Sequence, residues 1–167
     1  FDLADTTLPD LIVGEAVESE AAVVLLNATG DSMEQLAIEA TLPAGDAVRT
    51  LVPALLPLGV RKVGFRLAAG APATEGETKL ELKLLRRDGA ANEWLPLDSA
   101  TLTLATKQAT ATHKRTFRSG IDGSVQYFGV VPAKEAAGSG ESAVGGEEKE
   151  LVDNNELPQK PALILTL

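Results

Sequence analysis

The chain has 167 residues, which suffices for one domain of ordinary size or for one small domain and a piece of another. Its formal net charge of −9 disfavours DNA, RNA and anionic membrane surfaces as partners, because a phosphate-binding face needs clustered Lys and Arg. The absence of cysteine excludes a disulfide scaffold, a thiolate zinc site and a cysteine nucleophile, and no apolar run is long enough to span a bilayer.

The first part of the chain alternates short apolar segments with turn residues. Residues 1–10 contain Asp, Thr and Pro, and we expect a lead-in there. Residues 20–27 are compact, apolar and partly β-branched, which predicts a central strand covered on both faces. Residues 33–42 alternate apolar and polar side chains and predict a half-buried strand. The inward face of that strand would hold Leu36, Ile38, Ala40 and Leu42.

The middle of the chain continues this pattern. Prolines interrupt residues 47–59 and predict an irregular crossing between two sheets or a short edge strand. Residues 61–67 and 78–85 alternate clearly, and Asp88-Gly89 predicts a turn after them. A last strand covers 94–105 with a break near Pro96. The predicted inward side chains of these strands are Val63, Phe65, Leu67, Leu80, Leu82, Leu84, Leu102 and Leu104.

About seven short strands with turns between them, and no sustained helical period, predict a mainly β fold. We expect an immunoglobulin-like or fibronectin-like two-sheet sandwich over residues 1–107. A Thr- and Ala-rich connector follows it.

Residues 113–131 predict a β-hairpin whose turn is Asp122-Gly123. Residues 134–159 are low in complexity and too poor in apolar side chains for a packed element, which predicts a flexible, exposed loop. Residues 162–167 are nearly all aliphatic and predict a parallel strand buried on both faces. Such a strand needs neighbours, so we expect the protein to continue after Leu167.

The segment HKRTFRSGIDGSVQYFGVVPA, residues 113–133, and the later KPALILTL, residues 160–167, resemble the start of an α/β-hydrolase domain. The resemblance is to esterases and prolyl-oligopeptidase-like enzymes that carry an immunoglobulin-like β-sandwich ahead of the catalytic domain. It implies an accessory domain at 1–107 and the opening strands of a hydrolase domain at 108–167. In that family a His-Gly-rich oxyanion-hole segment follows the LILTL-type strand, so the catalytic residues would lie beyond Leu167.

Two local signals are typical of catalytic sites but lack the required context. Residues 140–144, GESAV, resemble a nucleophile elbow, but Val144 stands where a glycine is needed and no strand precedes the serine. His113 is the only histidine, and we expect it at the surface beside Lys114 and Arg115 rather than in a triad or metal site.

Other signals have simple structural interpretations. We expect Asp122 to be a turn residue, because the spacing of a calcium loop is absent around it. Asn27 opens an N-x-T sequon, which matters only in a eukaryotic secretory host. We therefore assign no catalytic, cofactor-binding or metal-binding residue and expect no cofactor.

Three functions fit this sequence. The first is the non-catalytic N-terminal portion of a secreted serine hydrolase, in which the sandwich caps the active site, orients substrate or mediates dimer contacts. Its partners would be the remainder of the hydrolase domain or a second copy of the chain. The second and third are a stand-alone binding module and an adhesion module without enzymatic activity; for sugar binding, Trp94 and Tyr127 are the only Trp and Tyr. The start at Phe1 suggests a removed signal peptide or an artificial boundary, and the resemblance favours a secreted or periplasmic location.

Overall fold

The computed structural model of the protein describes residues 1–43, 45–89, 91–133 and the backbone of residues 163–165. These residues form a mainly β structure with several sheets and no α-helix, so the predicted fold class is confirmed at this level. The strands are β1 (Asp2–Thr7), β2 (Leu11–Ile12), β3 (Val17–Leu26), β4 (Leu36–Thr41), β5 (Val48–Val52), β6 (Val60–Ala69), β7 (Gly76–Arg87), β8 (Trp94–Lys107), β9 (His113–Arg118), β10 (Val125–Val131) and β11 (Leu163–Leu165).

Strands β1 to β8 form two sheets. One has the order β1-β3-β6 and the other the order β2-β8-β7-β4-β5. Neighbouring strands run antiparallel except β2, which pairs in parallel with the end of β8. The edge strand β6 also contacts β5 of the other sheet, where the Arg66 amide donates a hydrogen bond to the Thr50 hydroxyl at 3.1 Å.

The two sheets share one hydrophobic core. Because successive side chains of a strand point to opposite faces, alternating apolar residues from each sheet meet between them. All the predicted inward residues of β4, β6 and β7 belong to this core, as does Leu104, and Leu102 packs against it. In β3, Ala21, Val23 and Leu25 point into the core, and Ala22 and Val24 on the opposite face are buried as well. The prediction of a central strand covered on both faces is therefore confirmed.

The lead-in expected over residues 1–10 contains the edge strand β1. β1 pairs with β3, and β2 pairs with β8. Most side chains of β1 are polar and exposed, so its pairing depends on backbone hydrogen bonds at the edge of the sheet. Such a strand leaves no apolar pattern in the sequence.

The strand pairing shows which structure forms at the two places where proline interrupts the predicted strands. Of the alternatives for residues 47–59, the short edge strand is correct, since β5 ends its sheet and irregular chain follows it. β8 continues through Pro96, and its register with β7 shifts between Leu84 and Leu85. The predicted break is thus a bulge, which accommodates a residue that has no N–H for the ladder.

β9 and β10 form the predicted hairpin, and β11 adds to the other side of β10. Gly123 in the turn has a φ of +72°, a conformation that glycine adopts readily. β11 pairs antiparallel with β10, so the expected parallel arrangement of residues 162–167 is wrong for the three that the structure describes. A continuous aliphatic run indicates burial but does not encode the direction of its neighbour. The loop expected at 134–159 lies outside the described residues.

Candidate functional site

The hairpin β9–β10 lies on the outer face of the β1-β3-β6 sheet, and Asp10 joins the two. One Asp10 carboxylate oxygen accepts hydrogen bonds from Lys107 Nζ and from the Lys114 amide, both at 2.8 Å. The Asp10 amide donates to the Lys114 carbonyl at 2.9 Å, and the Asp10 side chain is only 4% exposed. Asp10 therefore binds the end of the sandwich and the start of the hairpin through one buried carboxylate.

Two further ion pairs lie along β9. Arg115 pairs with Glu15 and Arg118 with Glu20, each at 2.7 Å. The Thr116 hydroxyl donates to the Glu20 carbonyl in the same region. Because these pairs are half-exposed, each contributes little by itself, and their main effect is to set the position of the hairpin on β3 and on the segment just before it. We call this set of contacts, together with those of Asp10, the junction.

A small apolar contact completes the junction. Gly64 on β6 is the register partner of Ala22 on β3. A Cβ at Gly64 would lie 2.7 Å from Val125 Cγ2 and 2.8 Å from Arg118 Nη2, so the hairpin approaches the backbone closely here. Val125 is buried in this contact, and glycine is the residue that allows it.

His113 begins β9 and is buried, so the expectation of a surface histidine is wrong. Its Nδ1 lies 2.8 Å from the Ala111 carbonyl, and Arg115 Nε donates to its Nε2 at 3.4 Å. His113 is buried because β9 packs against the sandwich at the junction. The sequence places two cations, Lys114 and Arg115, directly after His113, which is why a surface position was expected. With both ring nitrogens engaged, His113 is a structural residue.

Asp122 is a turn residue, as predicted. Its carboxylate accepts hydrogen bonds from the amide and the hydroxyl of Ser124, at 3.1 and 2.8 Å. The Ser124 amide and the Ser119 and Ser124 hydroxyls lower the pKa of the exposed Asp122 carboxyl below its ordinary value of 3.8. The negatively charged Asp122 carboxylate thus stabilises the hairpin turn through these hydrogen bonds.

The sequon residue Asn27 is buried and fully engaged. Its Nδ2 donates to the carbonyls of Asp31 at 2.8 Å and Leu56 at 2.9 Å, and its Oδ1 accepts from the Thr29 amide at 3.1 Å. An attached glycan needs the Nδ2 atom and open space, so this fold uses Asn27 as a structural residue. The sequence signal for this role is the Asn-Ala-Thr-Gly-Asp turn cluster.

The ring of Trp94 makes a cation–π contact within the protein. The guanidinium carbon of Arg49, on β5, lies 5.1 Å from the centre of the Trp94 ring, on β8. Since β7 and β4 separate these strands in the sheet, the pair spans its outer face, above the buried side chains of Ala37 and Leu85. This arrangement counts against Trp94 as an open sugar-stacking platform.

The described part of the chain contains no group of three or more His, Asp or Glu placed to hold a metal ion. Within the same residues no helix has the length and apolar character needed to cross a bilayer. The elbow-like residues 140–144 lie outside the described ranges. Comparisons with protein-family models, curated proteins and solved structures found no match to this chain.

Proposed function

We propose that this chain is the non-catalytic front portion of a secreted serine hydrolase of the esterase or peptidase kind. It would consist of an immunoglobulin-like accessory sandwich and the opening strands of the catalytic domain. The remainder of that domain would be its partner, and its location would be secreted or periplasmic.

The strand order supports the immunoglobulin-like assignment. Immunoglobulin sandwiches group strands A, B and E in one sheet and strands G, F and C in the other, with C′ added in variable-type domains. With β1 as A, β3 as B and β6 as E, the remaining strands β8, β7, β4 and β5 correspond to G, F, C and C′. β2 then continues strand A onto the second sheet.

The observation that carries the hydrolase proposal is the third sheet. The hairpin β9–β10 belongs to neither sandwich sheet, and β11 adds to its free side. A hairpin followed by an aliphatic strand is the order that the resemblance implies for the start of a hydrolase domain. The junction would then fix the orientation of the sandwich relative to the enzyme.

The direction of β11 favours a second candidate function. A buried parallel strand would have favoured the hydrolase, whereas β11 is antiparallel to β10. A three-stranded antiparallel sheet is also compatible with a stand-alone binding or adhesion module in which β9–β11 is an appendage.

The test uses the coding sequence downstream of Leu167 and a fluorophosphonate probe that reacts with activated serine. We expect the full gene product to continue with a His-Gly-rich segment and a G-x-S-x-G motif, and to be labelled. The 167-residue chain and the heat-denatured full product serve as unlabelled controls. A folded full product that is not labelled, or a reading frame that ends at Leu167, overturns the proposal in favour of the binding module.

A further inference from the structure

Four aliphatic side chains form an exposed surface at one end of the sandwich. Leu26 is 55% exposed, Leu56 69%, Leu58 75% and Val60 63%. Leu26 and Val60 are direct register partners on β3 and β6, and the turn Leu56–Gly59 immediately precedes Val60. We call these four residues the leucine surface. Clustered exposure of this kind marks contact sites more often than scattered single leucines do.

The leucine surface is built on a rigid base. The Gly59 amide closes the turn onto the Leu56 carbonyl at 3.0 Å, and the Leu58 amide donates to the Thr29 carbonyl at 3.1 Å. Asn27, which is buried, holds the turn through its side chain and through its amide, which donates to the Gly59 carbonyl at 2.9 Å. The backbone of the turn that carries Leu56 and Leu58 is therefore fixed, which lowers the ordering cost of binding a partner.

Leu58 adopts a conformation that disfavours leucine. Its φ is +51°, at the third position of a turn that has Pro57 at the second, where glycine is the usual residue. The side chain is nevertheless the most exposed of the four, so no burial within the described residues offsets this strain. A partner that covers Leu58 would supply the missing burial.

The leucine surface continues an interface that the chain already makes. Leu26 and Val60 point to the same side of the sheet as Ala22 and Val24, which are buried on the side where the hairpin lies. The outer face of the β1-β3-β6 sheet, which the hairpin covers in part, thus continues beyond the hairpin to an end that no described residue covers. Whatever packs beside the β9–β11 sheet has direct access to that end.

The charges favour a partner that is not a second copy. The chain carries a net charge of −9, so two copies repel each other at low ionic strength. Beside the surface, a notch of about 260 Å³ is lined by Leu56, Val60 and the exposed Arg61, for which no ion pair is found among the described residues. This notch suits an aliphatic side chain with a neighbouring carboxylate.

We infer that the leucine surface is the docking site for the remainder of the hydrolase domain that begins with β9, and that it holds the sandwich against that domain. This inference rests on the proposed function. It adds to the junction a second, mainly apolar contact at the other end of the same sheet face.

The test uses the lack of cysteine, because a single introduced thiol is then a specific probe of exposure. We compare maleimide labelling of the Leu58→Cys variant in the 167-residue chain and in the full gene product, with site-resolved mass spectrometry. We expect labelling to be slower in the full product by about tenfold or more, as for other sites covered by packing. Lys79→Cys, on the outer face of the other sheet, is the matched exposed control and should be labelled equally in both proteins.

Three outcomes would overturn the inference. Equal labelling of Leu58→Cys in both proteins means that the surface stays uncovered. Protection that already appears in the 167-residue chain and disappears on dilution means that the occupant is a second copy. Protection in a full product that fails to react with the fluorophosphonate probe refutes the hydrolase while leaving a covered surface. Conversely, a probe-reactive full product in which the thiol of the Leu58→Cys variant is fully accessible leaves the proposed function standing and removes the docking site.

Discussion

At the residue scale, two buried polar side chains, Asn27 and Asp10, connect segments that strand pairing does not join. Asn27 satisfies several backbone groups of two loops that no regular strand pairing could satisfy. Asp10 does the same between the sandwich and the hairpin. Asn27 stands in a turn-like sequence and Asp10 at the end of the expected lead-in, but the distant partners of both residues could not be inferred from local pattern.

Replacement of Asn27 by Ala should destabilise the protein by about 1–3 kcal/mol, because it removes the donor to the part-buried carbonyls of Asp31 and Leu56 and the acceptor of the Thr29 amide. The free energy of unfolding from urea titration measures this loss. The matched control is Asp31→Asn, which changes an exposed side chain and keeps the carbonyl that Asn27 uses. The control should stay within about 0.5 kcal/mol of the parent. An Asn27→Ala variant as stable as the parent would show that water replaces these bonds.

The burial of His113 could not be predicted from its neighbours in the sequence. A lone histidine beside Lys114 and Arg115 has the local sequence of a solvated site, yet it is buried. Its burial follows from where β9 packs, which depends on contacts with residues about a hundred positions earlier. Such long-range packing has no signature in neighbouring residues.

At the element scale, alternation was sufficient wherever one face of a strand is buried. The leucines of β7 and the apolar residues of β4 and β6 were placed correctly for that reason. Alternation was uninformative for β1, whose side chains are mostly exposed, and it could not give the direction of β11. The pairing of β11 with the predicted hairpin, and the choice of the outer surface that the hairpin covers, were likewise beyond local pattern, because they depend on tertiary packing.

Gly64 tests how closely the hairpin is docked. Replacement by Ala places a Cβ within 3 Å of Val125 and Arg118, so we expect the hairpin to shift away and the protein to lose about 1–3 kcal/mol. Hydrogen exchange of the β9 and β10 amides should increase more than that of β7. Gly30→Ala is the matched control, since a Cβ there meets nothing within 4 Å. Unchanged exchange in β9 and β10 would contradict the close contact.

At the scale of the whole molecule, the main question is whether the sandwich and the β9–β10 hairpin behave as one unit. The sequence suggested a boundary near residue 107, and that boundary stays a prediction. The junction crosses it with a buried carboxylate, two ion pairs and a small apolar contact. Of these, the Asp10 contact is the most buried, and removing one partner of a buried polar contact costs more than losing an exposed ion pair.

Asp10→Ala should therefore uncouple the two parts. The single Trp94 reports on the sandwich and the single Tyr127 on the hairpin, so urea unfolding can be followed at both places in one sample. In the parent protein we expect the two transitions to coincide, as in a cooperative unit. In Asp10→Ala the Tyr127 transition should move to lower urea concentration and separate from that of Trp94. Asp5→Asn, which breaks an exposed pair with Lys62, should leave the two transitions together. Transitions that are separate already in the parent would mean that the hairpin is an independent appendage and that the junction does not couple it to the sandwich.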